Sequence, residues 1–310
     1  MNLNTEKQLK IKGRLIFNLL VFIICAIAII AYQSIIRKSM DYAIKLCLSS
    51  IIPAIFPFMI LSDYASHSFT IQNDGKIANY FRKLFSINGI GVIPFFIGNI
   101  CGFPLGAQIA KRLYNIRYIN QEEYERLLPL CSNPSLAFVI SGVGCGMRGS
   151  ISEGVMLYVV TIASTIISGI IWKADCSASD FKGNLGNNVF SLSSSIKSSA
   201  KSCIYVSAYV TFFSIIVGWI EHINLPQWIS LLIVSFLEIG NASSLISEKV
   251  VNQHISLSLT AFTLGFSGIS VYMQSLCFSP EGVQNKYYVK IKLTEGAIAF
   301  ILTYVLSFFI

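Results

Sequence analysis

The sequence predicts an all-α, polytopic integral membrane protein made of two inverted repeats, each with a re-entrant helical hairpin. Three observations support this fold class: the composition, the grouping of apolar residues into long segments, and the position of the basic residues between those segments. Of the 310 residues, 54% are hydrophobic and 12% are charged, whereas soluble domains carry about 25% charged residues. Composition therefore argues against a water-exposed globule.

Apolar residues occur in nine segments, most of them near the roughly 17 to 25 residues that span a bilayer. The first, 15–36, contains no charged side chain and follows a basic tail. It is longer than the apolar core of a cleaved signal peptide, about 7 to 15 residues, so we expect a retained helix. The other eight segments are 43–62, 87–110, 127–147, 154–172, 202–220, 228–246, 255–278 and 293–310.

The basic residues set the topology, because Lys and Arg of short loops stay on the cytoplasmic side. If all nine segments crossed, the basic loop 111–126 would face outward. The conflict disappears if 87–110 and 228–246 are hairpins that reach about mid-membrane, leaving about seven crossings and a cytoplasmic N-terminus. Of the 23 Lys and Arg residues, 18 then lie inside and 5 outside. The net charge of +8 is thus explained by topology rather than by a nucleic-acid-binding surface.

Both predicted hairpins contain residues that interrupt helices. The first carries Gly98, Asn99, Gly102, Pro104 and Gly106, and the second carries a run of small and polar residues at 240–244. Pro removes a helical donor and Gly weakens a helix interior. Non-helical backbone at membrane depth is tolerated only inside protein or beside a water-filled cavity, so we expect both breaks to lie inside the molecule.

The two halves of the chain look related. The order helix, hairpin, helix recurs in 43–147 and 202–278, and the charge-derived topology makes the two units run in opposite directions. Two short matches accompany it: Ile97-Gly98-Asn99 with Ile239-Gly240-Asn241, and Ser141-Gly142-Val143 with Ser267-Gly268-Ile269. Secondary transporters built from inverted repeats hold their substrate near the midplane, at broken helices.

Three stretches resemble a known family, the nucleoside-recognition or Gate domain membrane proteins, and within it the sporulation integral membrane protein type. They are GNICGFPLGA at 98–107, EEYERLLPLCSNPS at 122–135 and LGFSGISVYMQ at 264–274. The resemblance covers roughly 43–310 and implies a solute-handling scaffold without fixing the solute. Residues 132–135 read S-N-P-S, whereas the family reads nearer N-N-x-G-P.

This organisation predicts four regions. Residues 1–42 hold an N-terminal tail and the first transmembrane helix, and 43–172 the first Gate-like repeat with a connecting helix. Residues 173–199, rich in Ser, Asn and Gly, form a cytoplasmic linker, and 200–310 the second repeat with a terminal helix. The spacing of Asn120 and Glu123 predicts a capping box that starts the helix entering the membrane at Leu127.

Glu238 is the strongest candidate for a solute-binding residue, because it is the one acidic residue we place deep in an apolar segment. An ionised carboxylate there costs several kcal/mol unless it is paired, solvated or protonated. It either titrates or accepts a hydrogen bond from a solute, or it is a structural carboxylate bound to hairpin amides. Asn99 and Asn241 offer donors and acceptors at the breaks. The remaining candidates expose backbone or carry polar groups near the breaks: Gly98, Gly102, Gly240, Ser132, Asn133, Ser267 and Gln274.

The sequence offers no sign of catalysis. It contains neither a P-loop nor a G-x-S-x-G motif, its eight cysteines form no C-x-x-C pair, and its three histidines are far apart. We therefore expect no enzyme, no cofactor and no metal.

The expected function is the binding of a small polar solute, nucleoside-like by resemblance, in a multi-pass protein of the cell membrane. Secondary, ATP-independent transport with a coupling ion extends this hypothesis. The alternatives are a non-transporting sporulation factor that acts in assembly or partner binding, and an ion permease. A midplane cavity reached by both Asn99 and Glu238 would favour solute handling over a tightly packed structural role. The solute, the coupling ion and the oligomeric state stay open.

Overall fold

The computed structural model describes residues 17–24, 26–68, 75–174, 192–223 and 225–309. Every regular element in these ranges is helical. The predicted basic tail before the first helix and most of the predicted linker, 175–191, lie outside the described residues.

Fourteen α-helices follow one another in the described ranges. Their bounds are α1 Phe17–Ala31, α2 Gln33–Leu46, α3 Ile52–Ser68, α4 Lys76–Phe85, α5 Val92–Cys101, α6 Phe103–Asn115, α7 Gln121–Leu130, α8 Ile151–Ile171, α9 Leu192–His222, α10 Gln227–Leu237, α11 Ile239–Lys249, α12 Gln253–Phe266, α13 Gly268–Cys277 and α14 Tyr288–Leu306. A π-helical turn at Cys47–Ile51 joins α2 to α3, and a second π-helical segment, Phe138–Met147, precedes α8.

The chain is an all-α polytopic membrane protein. Four spans of the described chain are long and apolar enough to cross a bilayer: α8, α9, α12 with α13, and α14. The number rises to six if each of two bent pairs, α1 with α2 and α4 with α5, counts as one span. Exposed apolar side chains such as Val159, Ile204, Phe212 and Ile301 cover the outer faces of these helices, as a lipid environment requires.

Four predicted apolar segments outside the hairpins are interrupted in the structure, and one of them, 255–278, breaks at Ser267 between α12 and α13. Segment 15–36 divides at Tyr32, because α2 is an amphipathic helix that carries Arg37 and Lys38 and sits at an angle of 82° to apolar α1. Segment 43–62 includes the π-helical turn. Segment 127–147 is non-helical at 131–135, which we call the unwound segment.

Two helical hairpins lie in the regions where the sequence predicts them. Hairpin 1 consists of α5 and α6, which turn at Gly102 with a φ of +103° that favours glycine. Hairpin 2 consists of α10 and α11, which turn at the extended residue Glu238. Its two ends meet, since Gln227 Nε2 donates to the Lys249 carbonyl at 2.7 Å. Arms of 10 to 13 residues are about 15 to 20 Å long, roughly half of a 30 Å hydrocarbon core.

The hairpins enter from opposite ends of the helix bundle. Hairpin 1 follows α4, and Lys173, just after α8, donates to the Lys83 carbonyl at 2.7 Å. Hairpin 2 ends beside the start of α8, where Ser247 Oγ donates to the Met147 carbonyl at 2.8 Å. We call these the Trp172 end and the Met147 end, after the residues that flank α8.

The repeat is visible in the order of elements. Each hairpin is followed by a discontinuous helix, α7 to Met147 or α12 to α13, and then by a long helix, α8 or α14. The long helices are antiparallel. Trp172 Nε1 donates to Thr294 Oγ1 at 2.9 Å at one end. At the other, Gln253 contacts Glu153 and His254 contacts Ser307.

The short sequence matches do not occupy equivalent positions in the two halves, although the order of helices repeats. Ile97-Gly98-Asn99 lies before the break of hairpin 1, whereas Ile239-Gly240-Asn241 lies after the break of hairpin 2. Ser267 and Gly268 form the α12–α13 break itself, with φ of +67° and +76°. Their predicted counterpart, 141–143, lies inside the π-helical segment.

Two boundaries complete the comparison. Asn120 and Glu123 form the predicted capping box, with hydrogen bonds of 2.8 and 2.9 Å, and start α7. The predicted linker 173–199 is too long at its C-terminal end, because α9 begins at Leu192.

Candidate functional site

An internal cavity of about 40 Å³ lies between the two hairpin tips. Gly102 and Phe103 line it from hairpin 1, and Glu238, Ile239 and Gly240 line it from hairpin 2. All of its lining residues are buried or half-buried. A water molecule occupies about 10 to 15 Å³ in this measure, so the cavity has room for about three. The remaining walls come from the unwound segment, α3, α9, α13 and both π-helical segments: Ile51, Ile55, Pro134, Ser135, Phe138, Val206, Val210, Val271 and Gln274.

Glu238 caps the N-terminus of α11 and is 2% exposed. Its carboxylate accepts hydrogen bonds from the amides of Gly240, at 3.0 Å, and Asn241, at 2.6 Å, and from Asn241 Nδ2 at 2.8 Å. The positive end of a helix stabilises such a charge. These contacts are those of a structural carboxylate, but two carboxylate oxygens offer about four acceptor sites, so one is left for a solute in the cavity.

Gln274 contributes an acceptor that has no partner. Its Nε2 donates to Ser270 Oγ at 3.0 Å, while its Oε1 accepts no hydrogen bond from any residue that the structure describes. The side chain is 2% exposed and lines the cavity. A buried unsatisfied polar atom costs about 1 to 3 kcal/mol, and a hydrogen-bond donor in the cavity would recover this.

Three helix N-termini converge on the same cavity. They belong to α6 at Gly102, to α11 at Glu238, and to the helix that begins after Ser135. Ser135 Oγ accepts from the Phe138 amide at 3.1 Å and so caps that helix. Helix N-termini carry partial positive charge, so three of them lie beside a cavity whose surface is otherwise mainly apolar.

The expected cavity reached by both Asn99 and Glu238 is not found among the described residues: Glu238 lines the cavity, whereas Asn99 and Asn133 lie outside its lining, in a separate polar network. Asn99 Nδ2 donates to the Phe95 and Leu130 carbonyls at 2.7 and 3.0 Å. Its Oδ1 accepts from Asn133 Nδ2 at 2.8 Å. The amide of Asn99 thus ties hairpin 1 to the unwound segment that contains Asn133.

A buried ion pair completes this network. Lys292 Nζ lies 3.0 Å from Glu295 Oε2, both side chains are 0% exposed, and Lys292 donates to Asn133 Oδ1. Thr165 Oγ1 accepts from Asn133 Nδ2 at 2.9 Å and donates to Glu295 Oε1 at 2.7 Å. The four side chains close a ring that joins α8, α14 and the unwound segment. We call them, with Asn99, the ion-pair network.

The sequence-based placement of both charges was wrong. Lys292 lies in α14 rather than in a cytoplasmic loop, and Glu238 shares the apolar interior with Glu295. The available signal was the spacing of three residues, which puts opposite charges on one helix face. We counted Lys292 among the cytoplasmic basic residues and singled out Glu238 alone among the acidic residues of the apolar segments.

The structure divides the predicted site residues into groups. Gly102, Glu238, Gly240 and Gln274 line the cavity. Asn241 lies directly behind Glu238, and Ser267 lies at the α12–α13 break, where it donates to the Leu264 carbonyl. The ion-pair network or its immediate surroundings hold the remaining ones: Gly98, Asn99, Ser132 and Asn133. Their assignment to solute binding stays a prediction.

Within the described ranges, no three His, Cys, Asp or Glu side chains come together as metal ligands.

A known protein shares sequence similarity with this chain. The sporulation integral membrane protein YlbJ of Bacillus subtilis (strain 168) is 22% identical to it, over 80% of this chain and 72% of the relative. No family model and no solved structure matches the chain significantly. The similarity supports a multi-pass membrane protein and the sporulation part of the family resemblance. The Gate domain part has no matching family model behind it.

Proposed function

We propose that this membrane protein binds a small polar solute between its two hairpin tips and carries it across the bilayer by a secondary mechanism. One observation carries the proposal: an internal cavity is lined by the breaks of both hairpins, by Glu238 and by Gln274, whose Oε1 accepts no hydrogen bond from a described residue. Inverted repeats with broken helices bind substrates in this manner.

The lining residues have distinct parts in this proposal. Glu238 and Gln274 accept hydrogen bonds from hydroxyl or amino groups of the solute, and the aliphatic walls exclude water. Because the hairpins enter from opposite ends, movement of one tip opens the cavity to one end while the other tip keeps it closed. The sequence carries no ATP-binding P-loop, so an ion or solute gradient would drive the movement.

The size of the cavity limits what the present conformation accommodates. A volume of about 40 Å³ suits an ion or a few water-sized groups. A nucleoside-like solute, which the family resemblance favours, needs the tips to separate.

Three observations are also compatible with other functions. The relative is named for sporulation, and the ion-pair network is fully buried, as in a scaffold for assembly or partner binding. The small cavity also suits an ion permease. These alternatives predict no saturable binding of organic solutes.

Equilibrium binding to the purified full-length chain tests the proposal. The probes are tritiated nucleosides, nucleobases and ²²Na⁺, measured by scintillation proximity in detergent. We expect saturable binding of at least one organic probe and about tenfold weaker binding in Glu238→Gln, since a hydrogen bond to a charged group contributes about 1.5 kcal/mol or more.

The matched control is Glu125→Gln. Glu125 is also buried, but it accepts from Gln121 in α7 and does not line the cavity. Absence of organic-solute binding by monodisperse wild-type protein would contradict the proposal, as would equal affinities in wild type and Glu238→Gln.

A further inference from the structure

A second and larger pocket lies at the Met147 end, between α2, α9 and α11. Its volume is about 300 Å³, the lower limit of typical small-molecule sites. We call this pocket the vestibule. Its rim consists of exposed residues and its floor of buried ones, so it narrows from the surface into the molecule. The rim residues are Lys38, Tyr42, Glu221 and Glu248, and the floor residues are Ser214, Val217, Asn241 and Leu245.

The floor of the vestibule contacts Glu238 through Asn241. Asn241 Nδ2 donates to Ser214 Oγ at 3.0 Å, on the vestibule side, and to Glu238 Oε2 at 2.8 Å. Glu238 in turn lines the cavity between the tips. One side-chain amide therefore separates the vestibule from the carboxylate.

The charges of the vestibule favour cations. Two carboxylates, Glu221 and Glu248, stand at the rim against one amine, Lys38. Glu221 also pairs with Lys249 at 3.1 Å, and Glu248 accepts from Ser244 Oγ at 2.9 Å. The next charge inward is the carboxylate of Glu238. Because Lys249 and Lys38 balance the two rim carboxylates, the preference for cations comes from the Glu238 carboxylate behind the floor.

The opposite side of the cavity is closed by packing. The ion-pair network lies there, and its residues are 0 to 3% exposed. Hairpin 1 packs on the unwound segment without room for a methyl group, since a Cβ on Gly98 or Gly106 would lie 2.1 Å from the Cys131 carbonyl oxygen. In the described conformation, the vestibule and the Asn241 side chain lie on the Met147 side of Glu238, and tight packing closes the Trp172 side.

We propose that the vestibule is the entrance through which a neutral or cationic, hydrogen-bond-donating solute reaches Glu238 from the Met147 end, and that the Asn241–Ser214 hydrogen bond is its gate. The inference rests on the proposed function, because it names the route and charge of the solute. Both are measured without knowing the solute.

Thiol labelling tests the route. In a background in which Cys25, Cys145, Cys176 and Cys277 are replaced by serine, the buried Cys47, Cys101, Cys131 and Cys203 remain. Ser244→Cys then places a thiol in the vestibule. The probes are two membrane-impermeant methanethiosulfonates, a trimethylammonium and a sulfonate reagent, applied to purified protein.

The measured quantity is the rate of modification by the trimethylammonium reagent divided by the rate for the sulfonate reagent. To remove the intrinsic difference between the reagents, this rate ratio is divided by the rate ratio for 2-mercaptoethanol. We expect a corrected ratio of about ten for Ser244→Cys. The variants Glu221→Gln and Glu248→Gln, combined with Ser244→Cys, lower this ratio toward one. An unreactive Ser244→Cys, or a ratio near one in the parent, would overturn the proposal whether or not a solute is found to bind.

The gate is tested from inside the cavity. Val210 lines the cavity but not the vestibule, so Val210→Cys reports on what passes Asn241. Removing the gate hydrogen bond with Ser214→Ala should raise the labelling rate of Val210→Cys about fivefold, the equivalent of about 1 kcal/mol. The control is Ser207→Ala. Ser207 also lies in α9, one turn before Thr211, but it lines neither the cavity nor the vestibule. Equal rates with and without Ser214→Ala would remove the gate.

Discussion

The two hairpins share an architecture and differ in the chemistry around their tips. Hairpin 1 packs tightly on the unwound segment, and Asn99 joins it to a fully buried ion pair. Hairpin 2 is held at its tip by the carboxylate cap of Glu238, with a cavity on one side and the vestibule on the other. An architectural repeat therefore does not make its two polar sites equivalent. In our account, hairpin 1 seals the molecule and hairpin 2 handles the solute.

Breaking the ion pair beside hairpin 1 should change the stability of the protein more than any other substitution considered below. Lys292→Met leaves Glu295 buried and unpaired, which we expect to lower the free energy of unfolding by about 3 to 5 kcal/mol. The measurement is SDS-induced unfolding in mixed micelles, followed by circular dichroism. Adding Glu295→Leu should recover part of the loss because both charges are then gone. A single mutant as stable as wild type would show that the pair is not buried.

Alanine substitutions at one glycine of each hairpin compare how tightly the two tips are packed. Gly98→Ala drives a methyl group into the Cys131 carbonyl oxygen, at 2.1 Å, whereas Gly240→Ala meets only side-chain ends at 3.3 to 3.5 Å. Overpacking against backbone should cost about 3 kcal/mol at Gly98, and Gly240→Ala should stay within about 1 kcal/mol of wild type. The same unfolding assay measures both. Equal losses would contradict the difference in packing.

A smaller effect concerns the cap of hairpin 2. Glu238→Ala removes the acceptor of the first α11 amides, and we expect a loss of about 1 kcal/mol, with 2 as the upper limit. Asn252→Ala removes the cap of α12, where Asn252 accepts from the Ile255 amide at 3.0 Å, and serves as reference. A loss as large as that of Lys292→Met would mean that Glu238 has a structural role equal to that of the ion pair.

The smallest effect on stability is expected at Gln274. Gln274→Leu removes an unpartnered acceptor from a largely aliphatic cavity, so the free energy of unfolding should stay within about 1 kcal/mol of wild type or rise. Solute binding should nevertheless fall about tenfold. Strong destabilisation would show that Oε1 has a partner in the folded chain.

Most of the features that the sequence predicted correctly depend on local signals, and one depends on the distribution of charge along the whole chain. The capping box depends only on the four residues from Asn120 to Glu123. The hairpin breaks are marked by Gly102 and by the polar residues after Glu238. The opposite entry of the hairpins followed from the separation of basic residues between the ends, which is a property of the whole chain.

The features that were missed depend on distant neighbours. Lys292 is neutralised by Glu295 in its own helix, but its burial requires Asn133, which is 159 residues away. The unwinding of 131–135 had a local signal that we did not use, since Pro134 disfavours a helical Asn133. The short triplets suggested equivalences that the three-dimensional positions of the breaks do not support.

Uptake into proteoliposomes separates the roles that we assign to the two hairpins. The measurement compares wild type, Gln274→Leu and Thr165→Val, using the probe that binds best in detergent. Thr165→Val alters the ion-pair network without touching the cavity. Our account predicts uptake by wild type, its retention in Thr165→Val after correction for folded protein, and its loss in Gln274→Leu. Absence of uptake in wild type, or uptake that survives in Gln274→Leu and is lost in Thr165→Val, would contradict the assignment of solute handling to hairpin 2.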